Sequence, residues 1–208
     1  MIFIEHYDNA LSSDICDRLI ELYESSEDKH SQGKTNIGHK PEWKESTDID
    51  IGGQFLDDEL CGPVINDVIG VLGNCLKDYK KKYTRYDAEP NFGGLDAIDA
   101  WGLEENFNFQ KFKPGQGYKV WHCETSNIKS SERVLVWMIY LNDVTDDGFT
   151  LFPTQGKSFQ PRTGDIVIWP AFWTHMHSGV TPNKGDKYVM SGWYSFDYKD
   201  QPFLQPYF

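Results

Sequence analysis

Beyond about residue 90 the chain breaks into short β-prone runs separated by Gly, Pro, Asn and Asp. The runs fall at 107–112, 118–124, 133–142, 149–152, 157–160, 165–169, 175–180 and 187–196. Eight short strands at intervals of roughly ten residues point to a sandwich, a jelly roll or a barrel. Upstream the period is helical. Ser12-Ser13-Asp14 offers N-cap residues, and Ile15, Leu19, Leu22 and Tyr23 follow on one stripe. From Leu60 through Val64, Val68, Leu72, Cys75 and Tyr79 to Tyr83, apolar residues step by threes and fours over 24 residues. Gly62-Pro63 marks the start of that helix or a kink in it. It ends in Lys77, Lys80, Lys81, Lys82 and Arg85, a solvated face that complements the helix dipole. Residues 29–53 are polar with little period and read as a long loop. No repeat or low-complexity tract interrupts the chain. The expectation is one domain over 1–208, with a mainly helical support layer over 1–90 beneath a β core over 91–208.

Composition narrows the function classes. With 13 Phe, 11 Tyr and 7 Trp in 208 residues the chain is too aromatic to be disordered. A net charge of −12 argues against broad binding to nucleic-acid backbones. The longest apolar run, Val134 to Leu141, has eight residues, far fewer than the roughly 20 that span a bilayer. The first seventeen residues hold no Lys or Arg but include Glu5, Asp8 and Asp14, so neither a signal peptide nor a transit peptide is expected. Four cysteines, at 16, 61, 75 and 123, form no C-x-x-C pair. They read as reduced thiols, and the protein as cytoplasmic.

Histidines next to carboxylates are the candidates for chemistry. Six histidines among 32 acidic residues yield about one His-x-acid tripeptide by chance. Two occur, His6-x-Asp8 and His122-x-Glu124. The first precedes the first helix and reads as a surface turn. The second lies on an expected strand, where residues i and i+2 share a face and can reach one ion. A later strand carries His175 and His177, and Lys187 follows ten residues after the latter. Two histidine nitrogens and one carboxylate form the facial set of non-haem Fe(II) oxygenases, with three positions left open. Zinc is the competing metal, although catalytic zinc usually keeps one open position.

Five strings occur in a telling order. They are Tyr7-Asp8-Asn9-Ala10-Leu11-Ser12 through Ile20, Lys113-Pro114-Gly115-Gln116-Gly117-Tyr118, and Tyr140-Leu141-Asn142-Asp143-Val144. Thr163-Gly164-Asp165-Ile166-Val167-Ile168-Trp169-Pro170 and Gly185-Asp186-Lys187-Tyr188 through Trp193 complete the set. Together they resemble the Fe(II)- and 2-oxoglutarate-dependent dioxygenases, specifically the prolyl 4-hydroxylase-like branch. The resemblance implies a mainly β fold with α elements: a double-stranded β-helix, or jelly roll, supported by N-terminal helices. It implies His122, Glu124 and His177 as ligands of Fe(II). Lys187 would pair with the distal carboxylate of 2-oxoglutarate, and Tyr140 and Ser191 would add hydroxyl hydrogen bonds. The implied reaction is hydroxylation, most simply of a prolyl residue in a peptide or protein, with release of succinate and CO2. Ascorbate enters as an accessory cofactor.

Family spacing from the distal histidine to the basic residue, about ten, favours His177 over His175. The latter then faces substrate, supports a ligand, or packs against Trp173. Three departures stand out. Glu124 occupies a position where Asp is commoner. Tyr118 lies four residues before His122, whereas three is usual. Asp146-Asp147-Gly148-Phe149-Thr150 replaces a turn richer in Gly and Glu. Trp101, Trp121, Trp137, Trp169 and Trp193 read mostly as core, with Trp121 on the face opposite His122. Segments 29–53 and 86–106 are candidate substrate lids. Two rival readings remain: a cupin-like metalloenzyme that uses no 2-oxoglutarate, and a non-catalytic jelly-roll binding module with structural histidines.

Overall fold

The computed structural model of the chain describes residues 2–35, 37–52, 55, 58–59, 61–84, 95 and 101–196. The chain enters through strand β1 (Glu5–Tyr7) and helix α1 (Ser13–Ser25). Ser12 caps that helix, its Oγ accepting the Ile15 N–H at 3.3 Å, which satisfies one of the orphan donors of the first turn. Cys16, Leu19 and Tyr23 form the buried stripe.

The expected loop over 29–53 is corrected by three strands: β2 (Ser31–Gln32), β3 (Lys44–Glu45) and β4 (Thr47–Ile51). The β4 sequence, Thr-Asp-Ile-Asp-Ile, alternates as a strand should, but its non-apolar face carries acids. Those acids line an internal cavity, so a strand inside the fold has the composition of a loop. The first 51 residues therefore supply strands as well as helical support.

Helix α2 (Gly62–Tyr83) has Pro63 in its first turn, where the missing N–H costs nothing. Val64, Val68, Leu72, Cys75 and Tyr79 make its buried stripe. Tyrosine hydroxyls fasten it: Tyr7 donates to the Cys75 carbonyl and Tyr194 to that of Leu72, both at 2.9 Å. Leu60, Arg85 and most of the candidate lid at 86–106 lie outside the described residues.

The remaining strands are β5 (Trp101–Leu103), β6 (Phe107–Phe112), β7 (Gly117–Tyr118), β8 (Arg133–Tyr140) and β9 (Thr150–Phe152). They continue through β10 (Lys157–Phe159), β11 (Ile166–Pro170) and β12 (Ser178–Gly179) to β13 (Lys187–Phe196). An eight-stranded sheet runs β1-β11-β8-β13-β6-β4-β2, with β5 added against β13. A three-stranded sheet, β10-β9-β12, and a β3-β7 pair complete the architecture. The fold is the expected mainly β jelly roll with supporting helices.

The large sheet has two unlike faces. Phe109, Trp137, Ile139, Met190 and Tyr194 share one apolar core with α1 and α2. On the other face Val136, Met138, Tyr140 and Val189 share a second core with Phe152 and Phe159 of the small sheet. Gly192 lets β13 lie under Trp137. A Cβ there would overlap the indole and come within 2.8 Å of Phe107 Cβ.

Two local expectations change. His6 sits on β1 rather than in a surface turn. Its Nε2 lies 2.7 Å from Oδ2 of buried Asp165, whose Oδ1 accepts the Asn9 N–H at 2.9 Å. That arrangement ties the N-terminal strand to the start of β11. The expected strands 118–124 and 175–180 shrink to β7 and β12. His122 and His177 instead form an isolated antiparallel bridge, and His175 lies in a 3-10 turn, Trp173–His175.

Candidate active site

That bridge brings two distant histidines together. The His122 N–H donates to the His177 carbonyl at 3.0 Å and the His177 N–H to the His122 carbonyl at 2.9 Å. The ring centroids are 4.3 Å apart. Glu124 is held beside them by its own N–H, which donates to the Ala171 carbonyl at 3.0 Å. Glu124 Oε1 lies 3.5 Å from Nε2 of His122 and 3.5 Å from Nε2 of His177. One ligand atom from each of the three residues falls within 4.8 Å of the others.

The hydrogen bonds on the far side of each ring decide the tautomer. His122 Nδ1 is 2.9 Å from the Val120 carbonyl and His177 Nδ1 is 3.0 Å from the His175 carbonyl. A carbonyl only accepts, so each Nδ1 carries the proton and each Nε2 keeps its lone pair for the site. Burial, then the neighbouring His177, pushes the His122 imidazolium down to about 4, so this ring is neutral at pH 7. Burial raises the Glu124 carboxyl, but its close contacts with His177 and His122 and the nearby Arg133 guanidinium outweigh it and hold the group below the usual carboxylate range. Neutral imidazole and ionised carboxylate are the protonation states that bind metal. Two imidazole nitrogens and one carboxylate oxygen, with room beyond them, fit a divalent non-haem iron.

Both rings are packed in place. Tyr118 stacks on His122 with centroids 3.6 Å apart, and Phe152 and Trp169 contact the His177 ring at 5.4 and 5.0 Å. Tyr118 thus lines the site despite its unusual spacing. His175 contributes its carbonyl to His177. Its own ring points away, with Nε2 2.8 Å from the Ile2 carbonyl and Nδ1 2.9 Å from the Thr174 hydroxyl. Trp121 is half exposed on the other side of the segment, whereas Trp101, Trp137 and Trp169 are core.

A cavity of about 270 Å³ opens from the triad into the jelly roll. Along β13, Lys187, Val189, Ser191 and Trp193 point into it by simple alternation. Lys187 is buried, and its Nζ donates to the Gly148 carbonyl at 2.7 Å. No carboxylate pairs with it among the described residues, and burial lowers it from 10.5 to about 7. Gly148 can present that carbonyl because the Asp146–Thr150 turn passes through positive φ at Asp147 (66°) and Gly148 (80°). The Ser191 hydroxyl lies on the wall and donates to Gln110 at 3.3 Å. Tyr140 is one layer deeper. Its hydroxyl donates to Thr150 Oγ1 at 2.8 Å, and Thr150 rather than Tyr140 forms the wall.

Other wall residues were not anticipated from the sequence. Lys44 and Asp48 form a buried ion pair at 2.6 Å, joined by Gln110. They come from the segment whose polarity reads as loop. Thr150 and Trp193 could have been found by following the period-two alternation of their strands.

Fold and site together describe a jelly-roll protein whose two histidines and one carboxylate lie close enough to hold one metal ion, with a buried lysine lining the same cavity. Residues 107–195 match the family model of the 2OG-Fe(II) oxygenase superfamily. The match covers the β core that carries the triad and Lys187, and the chain is similar there to prolyl 4-hydroxylases. Over 107 residues it is 26% identical to a protein of Acanthamoeba polyphaga mimivirus named as a candidate prolyl 4-hydroxylase, covering 43% of this chain and 44% of that protein. The chain spans less than half the length of the curated relatives it matches. Two solved structures share the fold. The viral collagen prolyl hydroxylase of Paramecium Bursaria Chlorella virus-1, in complex with 2OG, has a TM-score of 0.66 at 19% identity, covering 94% of this chain and 97% of that one. A Pseudomonas putida prolyl-4-hydroxylase has a TM-score of 0.67 at 15% identity, covering 94% of each chain. The cofactors of the superfamily, Fe(II) and 2-oxoglutarate, match the donor set and the buried cation.

Proposed function

We propose that the protein is an Fe(II)- and 2-oxoglutarate-dependent hydroxylase whose substrate presents a prolyl residue in a peptide or protein. One observation carries this reading: the His122–Glu124–His177 set and the acid-free ammonium of Lys187 face one cavity. A buried lysine without an anionic partner is costly, and a dicarboxylate cosubstrate supplies the missing charge. The prolyl part rests on the names of the relatives.

His122, Glu124 and His177 hold the metal in this reading. Fe(II) held there would supply dioxygen activation coupled to oxidative decarboxylation of 2-oxoglutarate to succinate and CO2. The chain's own part is orientation and exclusion of water. Lys187 donates a charge-assisted hydrogen bond to the distal carboxylate, and Ser191 adds its hydroxyl. Tyr140 acts through Thr150, whose oxygen it fixes. Val136, Met138 and Trp169 give the cavity an apolar wall. Ascorbate as accessory reductant and a reducing, cytoplasmic setting belong to the same proposal; four free thiols support the setting.

The test is incubation with Fe(II), 2-oxoglutarate, ascorbate and a panel of proline-containing peptides. Succinate release together with a mass gain of one oxygen is expected. Oxygenation without succinate would favour a cupin-like enzyme. A folded, iron-loaded protein that neither binds nor consumes 2-oxoglutarate would leave only a binding module.

A further inference from the structure

The carboxylate of this triad is a glutamate, one methylene longer than the commoner aspartate. Its two oxygens have separate partners. Oε1 faces both histidines at 3.5 Å. Oε2 accepts the indole N–H of Trp193 at 3.0 Å and lies 3.7 Å from Nη1 of Arg133. Arg133 stacks on Trp193, its guanidinium carbon 3.4 Å from a ring centroid of the indole. Arg133 Nε is 3.5 Å from Glu104 Oε1, which also accepts the Ser195 hydroxyl. The chain of contacts runs from strand β13 to a single carboxylate oxygen.

We infer that Trp193 and Arg133 are positioning residues that make a glutamate serviceable as the metal ligand here, by holding Oε2 aside so that Oε1 alone faces the two imidazoles. The inference rests on the assignment of Glu124 as a ligand. A glutamate has one more rotatable bond than an aspartate, and ordering a long side chain costs free energy. The indole N–H and the guanidinium meet that cost before the metal arrives. They also anchor the carboxylate at the glutamate length. An aspartate on the same backbone, which Ala171 holds through the Glu124 N–H, cannot keep Trp193 and face both histidines.

The test measures Co(II) affinity from its ligand-field absorbance, without turnover. Trp193→Phe keeps a ring under Arg133 and removes only the donor. It should weaken Co(II) binding roughly 10- to 100-fold, as loss of outer-shell partners does, in a metal-free protein that still unfolds cooperatively. Glu124→Asp should also weaken binding by about tenfold or more. The double variant should then bind no worse than Glu124→Asp alone, because the indole acts only through the glutamate. Arg133→Met should show a smaller loss in the same direction, and it serves if Trp193→Phe fails to fold. Affinity within twofold of the unaltered protein in Trp193→Phe, or losses that multiply in the double variant, would overturn the inference. Glu124→Ala and His122→Ala separate the two levels. If both still bind Co(II) as the unaltered protein does, the metal assignment itself is wrong. If both lose it while Trp193→Phe does not, only the positioning role falls.

Discussion

Replacing Lys187 with Met sets stability against binding, and the two should move in opposite directions. In the metal-free protein the ammonium is buried against one carbonyl, 2.7 Å away, with the rings of Tyr140 and Phe112 at 5.4 and 5.8 Å. Its fall from 10.5 to about 7 corresponds to up to about 5 kcal/mol of folding stability lost to the buried charge, at about 1.4 kcal/mol per pH unit. Between pH 7 and 10.5 the unfolded chain binds this proton and the folded protein does not, so stability rises with pH across that window. Met is of similar length and carries no charge. It forfeits the Gly148 hydrogen bond, worth about 1.5–3 kcal/mol, and removes the desolvation cost. A net gain of roughly 2 kcal/mol would raise the melting temperature by about 4–8 °C at pH 7, and the gain should vanish by about pH 10. Affinity for 2-oxoglutarate should fall meanwhile by between about 30-fold and a few thousandfold, the 2–5 kcal/mol expected for a lost buried charge partner. Calorimetry of the metal-free protein at pH 7 and 10, and titration of 2-oxoglutarate into anaerobic Mn(II)-loaded protein, measure the two effects. A variant that melts lower and still binds 2-oxoglutarate within threefold would show Lys187 to be a structural strut.

Protons should not compete for His122 between pH 6 and 8. Burial lowers His122 to about 4, so protons compete at this ligand only as pH falls towards that value; a His122 ring nitrogen whose NMR shift titrates between pH 7 and 6 in the metal-free protein would contradict this. The same depressed value means that the unfolded chain takes up a proton at this histidine before the folded protein does, so the metal-free protein should lose stability as pH falls from about 6.5 towards 4, a slope absent in His122→Ala and measurable by urea titration. Gly192→Ala should destabilise by roughly 1–3 kcal/mol through overpacking against Trp137, read from the denaturation midpoint at constant slope. Ser12→Ala should cost about 1 kcal/mol by removing the cap of α1 and leave Co(II) affinity untouched.

These perturbations sample residues of very different legibility. Strands β6 and β13 coincide with the expected runs at 107–112 and 187–196, because each alternates between two faces that are both largely buried. The α2 stripe was legible for a related reason: a single apolar face repeats without interruption for six turns. The candidate metal triad was readable only in part. Its residue types stood out, but His122 and His177 do not share a strand face with their expected partners. They meet through one backbone bridge between irregular segments, and no period announces such a bridge. Strand β4 was hidden for the opposite reason. It obeys the alternation, yet its cavity side carries buried Asp48 and exposed Asp50, because that side borders a polar cavity and not a core. The same inversion governs β13, where the positions facing the cavity hold buried Lys187 and half-buried Ser191. Polarity at a position that periodicity assigns to the interior is therefore the shared mark of this site. Read in that way, the alternation of β13 would have led on to Trp193, and from there to the glutamate oxygen that it holds.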